Sequence, residues 1–252
     1  MPQPVFYAYA PIKILWKRLG GDSQLQCLLS QSASTHGGDI ETLLTRQLTD
    51  GAVEMRKDRP MLIVSTTSWT ADEDFSLLLK ALAHYDSSTS KPGDIGEDDS
   101  TGPLPRLAVL ITGRGPLRAY YESEIDKMKL CRVQIATAWL SAEDYPLVLG
   151  SADLGVSLHT SSSGLDLPMK VVDMLGCGTP VCAYEFACIG ELVTADNGLV
   201  FSDAETLAQQ IQDLACQLDT EHGTYGRLLQ GAAGFREIDW DTNYRSVLDL
   251  LQ

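Results

Sequence analysis

LGVSLHTSSSGLDLPMKVVDMLGCGTPVCAY, residues 154–184, passes from strand to loop to helix to strand. Residues 154–158 form a short apolar run with a β-branched valine, the pattern of a buried strand. A polar loop follows, holding His159, Ser162, Ser163 and Gly164. Pro168 predicts the first helical position, where a missing N–H costs nothing and φ is already set. Gly176 and Gly178 predict the helix end, and residues 180–184 the next strand. A loop of hydroxyls and glycine running into a helix N-terminus is an anion site, because free backbone N–H groups and the helix dipole both favour phosphate.

With that helix extended back to Asp166, the residues Asp166, Lys170 and Asp173 fall within about 60° of one another at 100° per residue. The remaining faces carry Met169, Val171, Val172, Met174 and Leu175. Such a helix is buried nearly all round, with one polar seam. Two readings stand at this level. The seam is a solvated stripe with an Asp166–Lys170 pair four residues apart, worth tenths of a kcal/mol. Or it faces a polar ligand, with Lys170 on phosphate and a carboxylate on sugar hydroxyls.

Outward from this unit, strands are expected at residues 61–65, 107–112, 133–136 and 199–201. Helices are expected at 72–84, 117–129, 142–150, 205–218 and 240–251. Asp72, Glu73 and Asp74 crowd the start of the first of these, as the dipole prefers. Strands alternating with helices at this spacing imply βαβ units and an α/β, doubly wound parallel sheet, Rossmann-like, over residues 59–252. Ligands in such sheets bind beyond the carboxyl ends of the strands. The loops there hold Thr67 and Ser68, Gly113 to Pro116, His159 to Gly164, and residues 184–190. Residues 86–105, DSSTSKPGDIGEDDSTGPLP, lack large apolar groups and are expected to be a disordered insertion. Residues 1–58 read as a partly ordered connector. They include a short amphipathic helix, with apolar Ile12, Leu15, Trp16 and Leu19 opposite Lys13, Lys17 and Arg18, and a further helix near 40–48.

The chain has 252 residues, enough for one good core. Its net charge of −15 argues against nucleic acid, which wants a basic face. No run of 18 apolar residues is present to span a membrane. The six cysteines form no CxxC pair and sit largely in apolar stretches, the pattern of reduced, buried thiols.

Gly113-Arg114-Gly115 is a GxG lacking the third glycine of the dinucleotide fingerprint, and a tight turn into a helix is sufficient to explain it. His159 at a strand end suits either a structural hydrogen bond or a diphosphate. Glu191, by its place in the chain, reads as an exposed helix-start carboxylate.

The run SSSGLDLPMKVVDMLGCGTPVCA, with STTSWTADEDF upstream and TGRGPLRAYY between them, resembles the C-terminal half of the chitobiosyldiphosphodolichol β-mannosyltransferase family. These GT-B enzymes add the first mannose of the N-glycan precursor from GDP-mannose. The resemblance covers residues 59–202 well and the rest weakly. It implies a donor-binding half at the cytosolic face of the endoplasmic reticulum, with no cofactor. The acceptor, dolichol-linked chitobiose, would be met through an N-terminal domain that also supplies the catalytic base. Other mannosyltransferases at the membrane are candidate partners. It places Thr67, Ser68, Gly113, Arg114, Gly115, His159, Ser162, Ser163, Gly164, Leu165, Asp166, Leu167, Lys170, Asp173 and Glu191 at the donor. Related retaining enzymes pair two glutamates across this helix, whereas Leu165 and Asp173 stand at those positions here. The alternative is a non-catalytic nucleotide-sugar-binding or assembly module.

Overall fold

A computed structural model of the chain describes residues 35–36, 39–50, 52–88, 104–160, 163, 165–218, 220, 222–236 and 245. The expected N-terminal helix and most of the 86–105 insertion lie outside these residues, as does the expected terminal helix, Arg245 excepted.

Six strands form a wholly parallel sheet: β5 (Met61–Thr66), β6 (Leu107–Thr112), β7 (Val133–Ala138), β8 (Leu154–Ser157), β9 (Val181–Tyr184) and β10 (Gly198–Phe201). Their spatial order is β10-β9-β8-β5-β6-β7. The chain therefore starts in the middle, builds out through β6 and β7, returns beside β5 as β8, and builds out the other way. That is the doubly wound order, and its reversal lies between β5 and β8.

Burial on both faces explains why the central strands β5 and β6 read as apolar runs. Met61 and Ile63 of β5 enter a core with Trp69, Phe75, Leu78, Leu82, Leu207, Ile211 and Leu214. Their neighbours Leu62 and Val64 point the other way, to Val148, Leu149, Val171, Met174 and Leu175. Helices α1 (Phe75–Ser87), α2 (Arg118–Lys127) and α5 (Ala204–Ala215) thus cover one face, with α1 packed on α5. Helices α3 (Tyr145–Leu149) and α4 (Met169–Gly176) cover the other. A sixth, α6 (Thr224–Arg236), packs on α4.

The amino ends of β5 and β8 are tied by a buried ion pair. Arg59 donates to both oxygens of Asp153, at 2.5 and 2.7 Å, and Asp153 also accepts the Leu62 N–H at 2.7 Å. At the border of the expected insertion, the Asp86 carboxylate accepts the N–H groups of Cys131 and Arg132, and Tyr85 donates to the Pro105 carbonyl at 2.8 Å.

Three expectations are corrected. The helix foreseen near 40–48 is instead part of a small antiparallel sheet, β1 (Thr35–His36), β2 (Asp39–Glu41), β3 (Thr45–Gln47) and β4 (Val53–Met55). Thr42 makes its turn by capping: the hydroxyl accepts the N–H groups of Leu44 and Thr45. The first helix begins at Phe75 rather than at residue 72, because Asp74 caps it through the Ser76 N–H at 3.0 Å. And α4 begins at Met169 with Pro168 as its cap, so Asp166 is not on the helix. Met169 is 69% exposed, and the helix is less buried than its composition suggests.

Candidate functional site

The loops leaving β5 and β8 part at the reversal of strand order and meet again above it. The β5 loop is held in one shape. Trp69 takes φ +49°, a left-handed conformation that costs a non-glycine residue about 1–3 kcal/mol unless its surroundings impose it. They do. Its ring is 1% exposed and packs on Phe75 and Tyr121, with centroids 4.7 and 5.9 Å away. Its N–H donates to the Thr67 hydroxyl at 2.8 Å, and its carbonyl accepts the Leu117 N–H at 3.0 Å.

Glu73 is the hub of this loop. Its side chain is 2% exposed, and the carboxylate accepts the Thr67 hydroxyl at 2.5 Å and the Ser68 N–H at 2.9 Å. From α4, Lys170 donates to its other oxygen and lies 3.4 Å from the Ser68 hydroxyl. A buried carboxylate demands such partners, since an uncompensated charge away from water is costly. The Lys170 side chain stays 26% exposed, so it links the buried carboxylate to solvent. A second tie crosses the same gap: the Thr160 hydroxyl donates to the Asp72 carbonyl at 2.7 Å.

The β8 loop has its own cluster. Asp166 accepts the Ser163 hydroxyl at 3.0 Å and lies 3.1 Å from His159 Nε2, while the Ser163 hydroxyl also accepts the Leu165 N–H at 3.2 Å. The solvated-stripe reading paired Asp166 with Lys170. The structure gives each a different partner, so that pair does not form, while Asp166 and Asp173 remain solvent-exposed. Asp72 borders this cluster, its carboxyl held below the usual range first by the Thr70 hydroxyl and also by Lys170 and His159. Asp173 accepts the Tyr145 hydroxyl at 3.2 Å, and burial pushes that phenol up to about 12.

The structure thus brings together Thr67, Ser68 and Lys170, and beside them His159, Ser163 and Asp166. Leu165 is 74% exposed and Leu167 half-buried against the α4 face. Ser162 and Gly164 lie outside the described residues. Gly113 and Gly115 back the β5 loop: a β-carbon on either would lie 1.8 Å from the carbonyl oxygen of Thr67 or Ser68. Arg114 stacks on Trp139, 4.1 Å from its ring centroid, at the far ends of β6 and β7. Glu191 is exposed in the short 3-10 helix Ile189–Glu191, beside the Cys188 thiol. Among the described residues no group of three His, Cys, Asp or Glu side chains could hold a metal ion, and no helix is long and apolar enough to cross a membrane. The sequence reading missed Glu73 as the partner of Lys170, because 97 residues separate them and Glu73 looks like any first-turn acid.

A doubly wound parallel sheet of this strand order is the Rossmann-like fold found in GT-B glycosyltransferases. Residues 98–217 match the family described as Glycosyl transferases group 1. More particularly, the chain is a homologue of proteins named chitobiosyldiphosphodolichol beta-mannosyltransferase. It is 48% identical to the human protein of that name over 82% of this chain, and 49% identical to the mouse one over the same share. It is also 51% identical to the Arabidopsis thaliana UDP-glycosyltransferase TURAN over 68% of its length. The chain spans 43%, 41% and 38% of these three relatives respectively, less than half of each. Among solved structures, Anabaena Alr3699/HepE in complex with UDP superimposes with a TM-score of 0.55 at 18% identity, over 76% of this chain and 48% of that one. A glycosyltransferase from Rickettsia africae gives 0.53 at 14% identity, over 76% and 47%. At these identities the likeness concerns the fold.

Proposed function

We propose that this chain is the donor-binding part of a β-mannosyltransferase of N-glycan assembly, taking GDP-mannose and serving dolichol-diphosphate-linked chitobiose. The observation that carries the reading is the convergence of Lys170, the Ser68 hydroxyl and the α4 N-terminus at the β5–β8 switch point, in a chain 48% identical to enzymes of that name. Lys170 meets the diphosphate through its part-exposed ammonium, and the first turn of α4 adds its dipole. Asp173 and the His159–Asp166 pair supply acceptors for ribose or mannose hydroxyls. An α-linked donor that yields a β-mannoside requires inversion. The attacking hydroxyl must therefore approach opposite the leaving diphosphate, with a base beside it. The donor side stabilises the charge that develops on the leaving group. The proposed setting is the cytosolic face of the endoplasmic reticulum membrane.

A transfer assay tests the reading. GDP-mannose and a lipid-diphosphate chitobiose are incubated with the chain, alone and with the remaining segment of a relative supplied as a separate polypeptide. No product is expected from these 252 residues alone, since proximity to a positioned acceptor is worth up to roughly 7–11 kcal/mol. Product on mixing supports the reading. No product either way, with GDP-mannose bound, leaves a nucleotide-sugar-binding module.

A further inference from the structure

The donors that a phosphate oxygen would meet in the β5 loop all converge on Glu73. The Thr67 hydroxyl, the Ser68 N–H and the Lys170 ammonium bind one buried carboxylate. A carboxylate is itself an oxyanion, so this is an anion site with an internal anion built into it. The surroundings add negative charge. Over the described residues of the two loops and α4, Lys170 is the one lysine or arginine, against Asp72, Glu73, Asp74, Asp166 and Asp173.

A diphosphate approaching Lys170 from the open side therefore meets an ammonium already half-neutralised from behind. Its penalty grows with its own charge. A sugar-esterified nucleoside diphosphate carries one charge on each phosphate. A free nucleoside diphosphate has a terminal phosphate, which loses its second proton at a pKa of about 6 and gains most of a further charge at neutral pH. Like charges facing each other across a dry contact are the usual means by which a site rejects one of two similar ligands.

We propose, on the basis of the donor-site reading above, that Glu73 is a specificity-determining residue. It disfavours the free nucleoside diphosphate relative to its sugar ester, so that the product is held less tightly than its charge would otherwise dictate. No bond is made or broken in this role. Glu73 acts through the charge it places behind Lys170 and the β5 loop.

The test is calorimetric titration of the 252-residue chain and of Glu73→Gln with GDP and with GDP-mannose. In Glu73→Gln, GDP is expected to tighten by about ten-fold or more and GDP-mannose by less, moving the affinity ratio toward GDP. A merely structural glutamate would weaken both ligands together and leave the ratio where it was; either an unmoved ratio or one moved away from GDP overturns the proposal. Glu73→Asp keeps the charge but withdraws it by one methylene, and should move the ratio in the same direction by less. It serves as the readout if Glu73→Gln does not fold. Wild-type binding with an unmoved ratio defeats this inference alone, whereas no binding of either ligand by any of the folded proteins defeats the donor-site reading as well.

Discussion

Gly115 sits against Ser68 so closely that a β-carbon on the glycine would lie 1.8 Å from the serine carbonyl oxygen. Gly113, at φ +149°, stands in the same relation to Thr67. The GRG turn is therefore a backstop for the β5 loop. Its glycines are needed for close backbone approach.

Gly115→Ala is thus expected to push the β5 loop forward or to loosen it. Overpacking of this kind costs about 1–3 kcal/mol. Thermal melts should show the loss, and GDP affinity should fall with it. Unchanged stability and affinity would mean that the loop gives way freely.

Lys170→Ala should weaken GDP binding by about ten- to hundred-fold, the worth of a charge-assisted hydrogen bond. It should also destabilise the fold, because the Glu73 carboxylate keeps only Thr67 and Ser68 as partners. Losing one side of a buried pair costs about 3–5 kcal/mol, and the partial exposure of Lys170 puts this case at the lower end. Melting curves and titration well below the midpoint separate the two effects. A surface lysine would show neither.

Arg59→Met breaks the other buried pair and should separate stability from binding. The side chains of Arg59 and Asp153 are 14% and 10% exposed, at the amino ends of β5 and β8. A loss of about 3 kcal/mol corresponds to roughly 6–12 °C in Tm for a domain of this size. The site lies at the opposite ends of the strands, so GDP affinity at low temperature should not change. A large affinity loss would show that the two ends of the sheet are coupled.

Stability should decline on the alkaline side. Burial pushes the Cys182 thiol from 9.0 up to about 12, and the Tyr145 phenol from 10.0 up to about 12. The folded state keeps both protonated while the unfolded chain ionises them. Their contribution is whole below about pH 9 and drains away as the pH rises toward 12. Tm measured from pH 8 to 11 should fall, and Cys182→Ala should flatten the fall between 9 and 10. Iodoacetamide at pH 8 should label the exposed Cys131 and Cys216 while sparing Cys182.

The central strands of the parallel sheet were legible because burial on both faces writes them as apolar runs, LAVLIT above all. Two things were not. The small sheet uses strands of two or three residues, too short for any alternation to register. Helix α6, TYGRLLQGAAGFR, carries three glycines, each of which lowers helix propensity by about 1 kcal/mol. One of them, Gly231, is explained only in three dimensions: a β-carbon there would lie 2.0 Å from the Asp196 carbonyl oxygen. The site divides in the same way. Lys170 announced itself as the one cation on an apolar helix next to a hydroxyl-rich loop. Its partner could not, because the inward turn of Glu73 depends on Asp74 taking over the helix cap and on Trp69 anchoring the loop.

The central claim is that the β5–β8 crevice holds the diphosphate of a guanine nucleotide sugar. Isothermal titration of the folded chain with GDP-mannose, GDP and UDP tests it most directly. The account expects saturable binding of both guanine ligands, each tighter than UDP and each weakened by Lys170→Ala. Folded protein that takes up none of the three, or that binds UDP ahead of both guanine ligands, would contradict it.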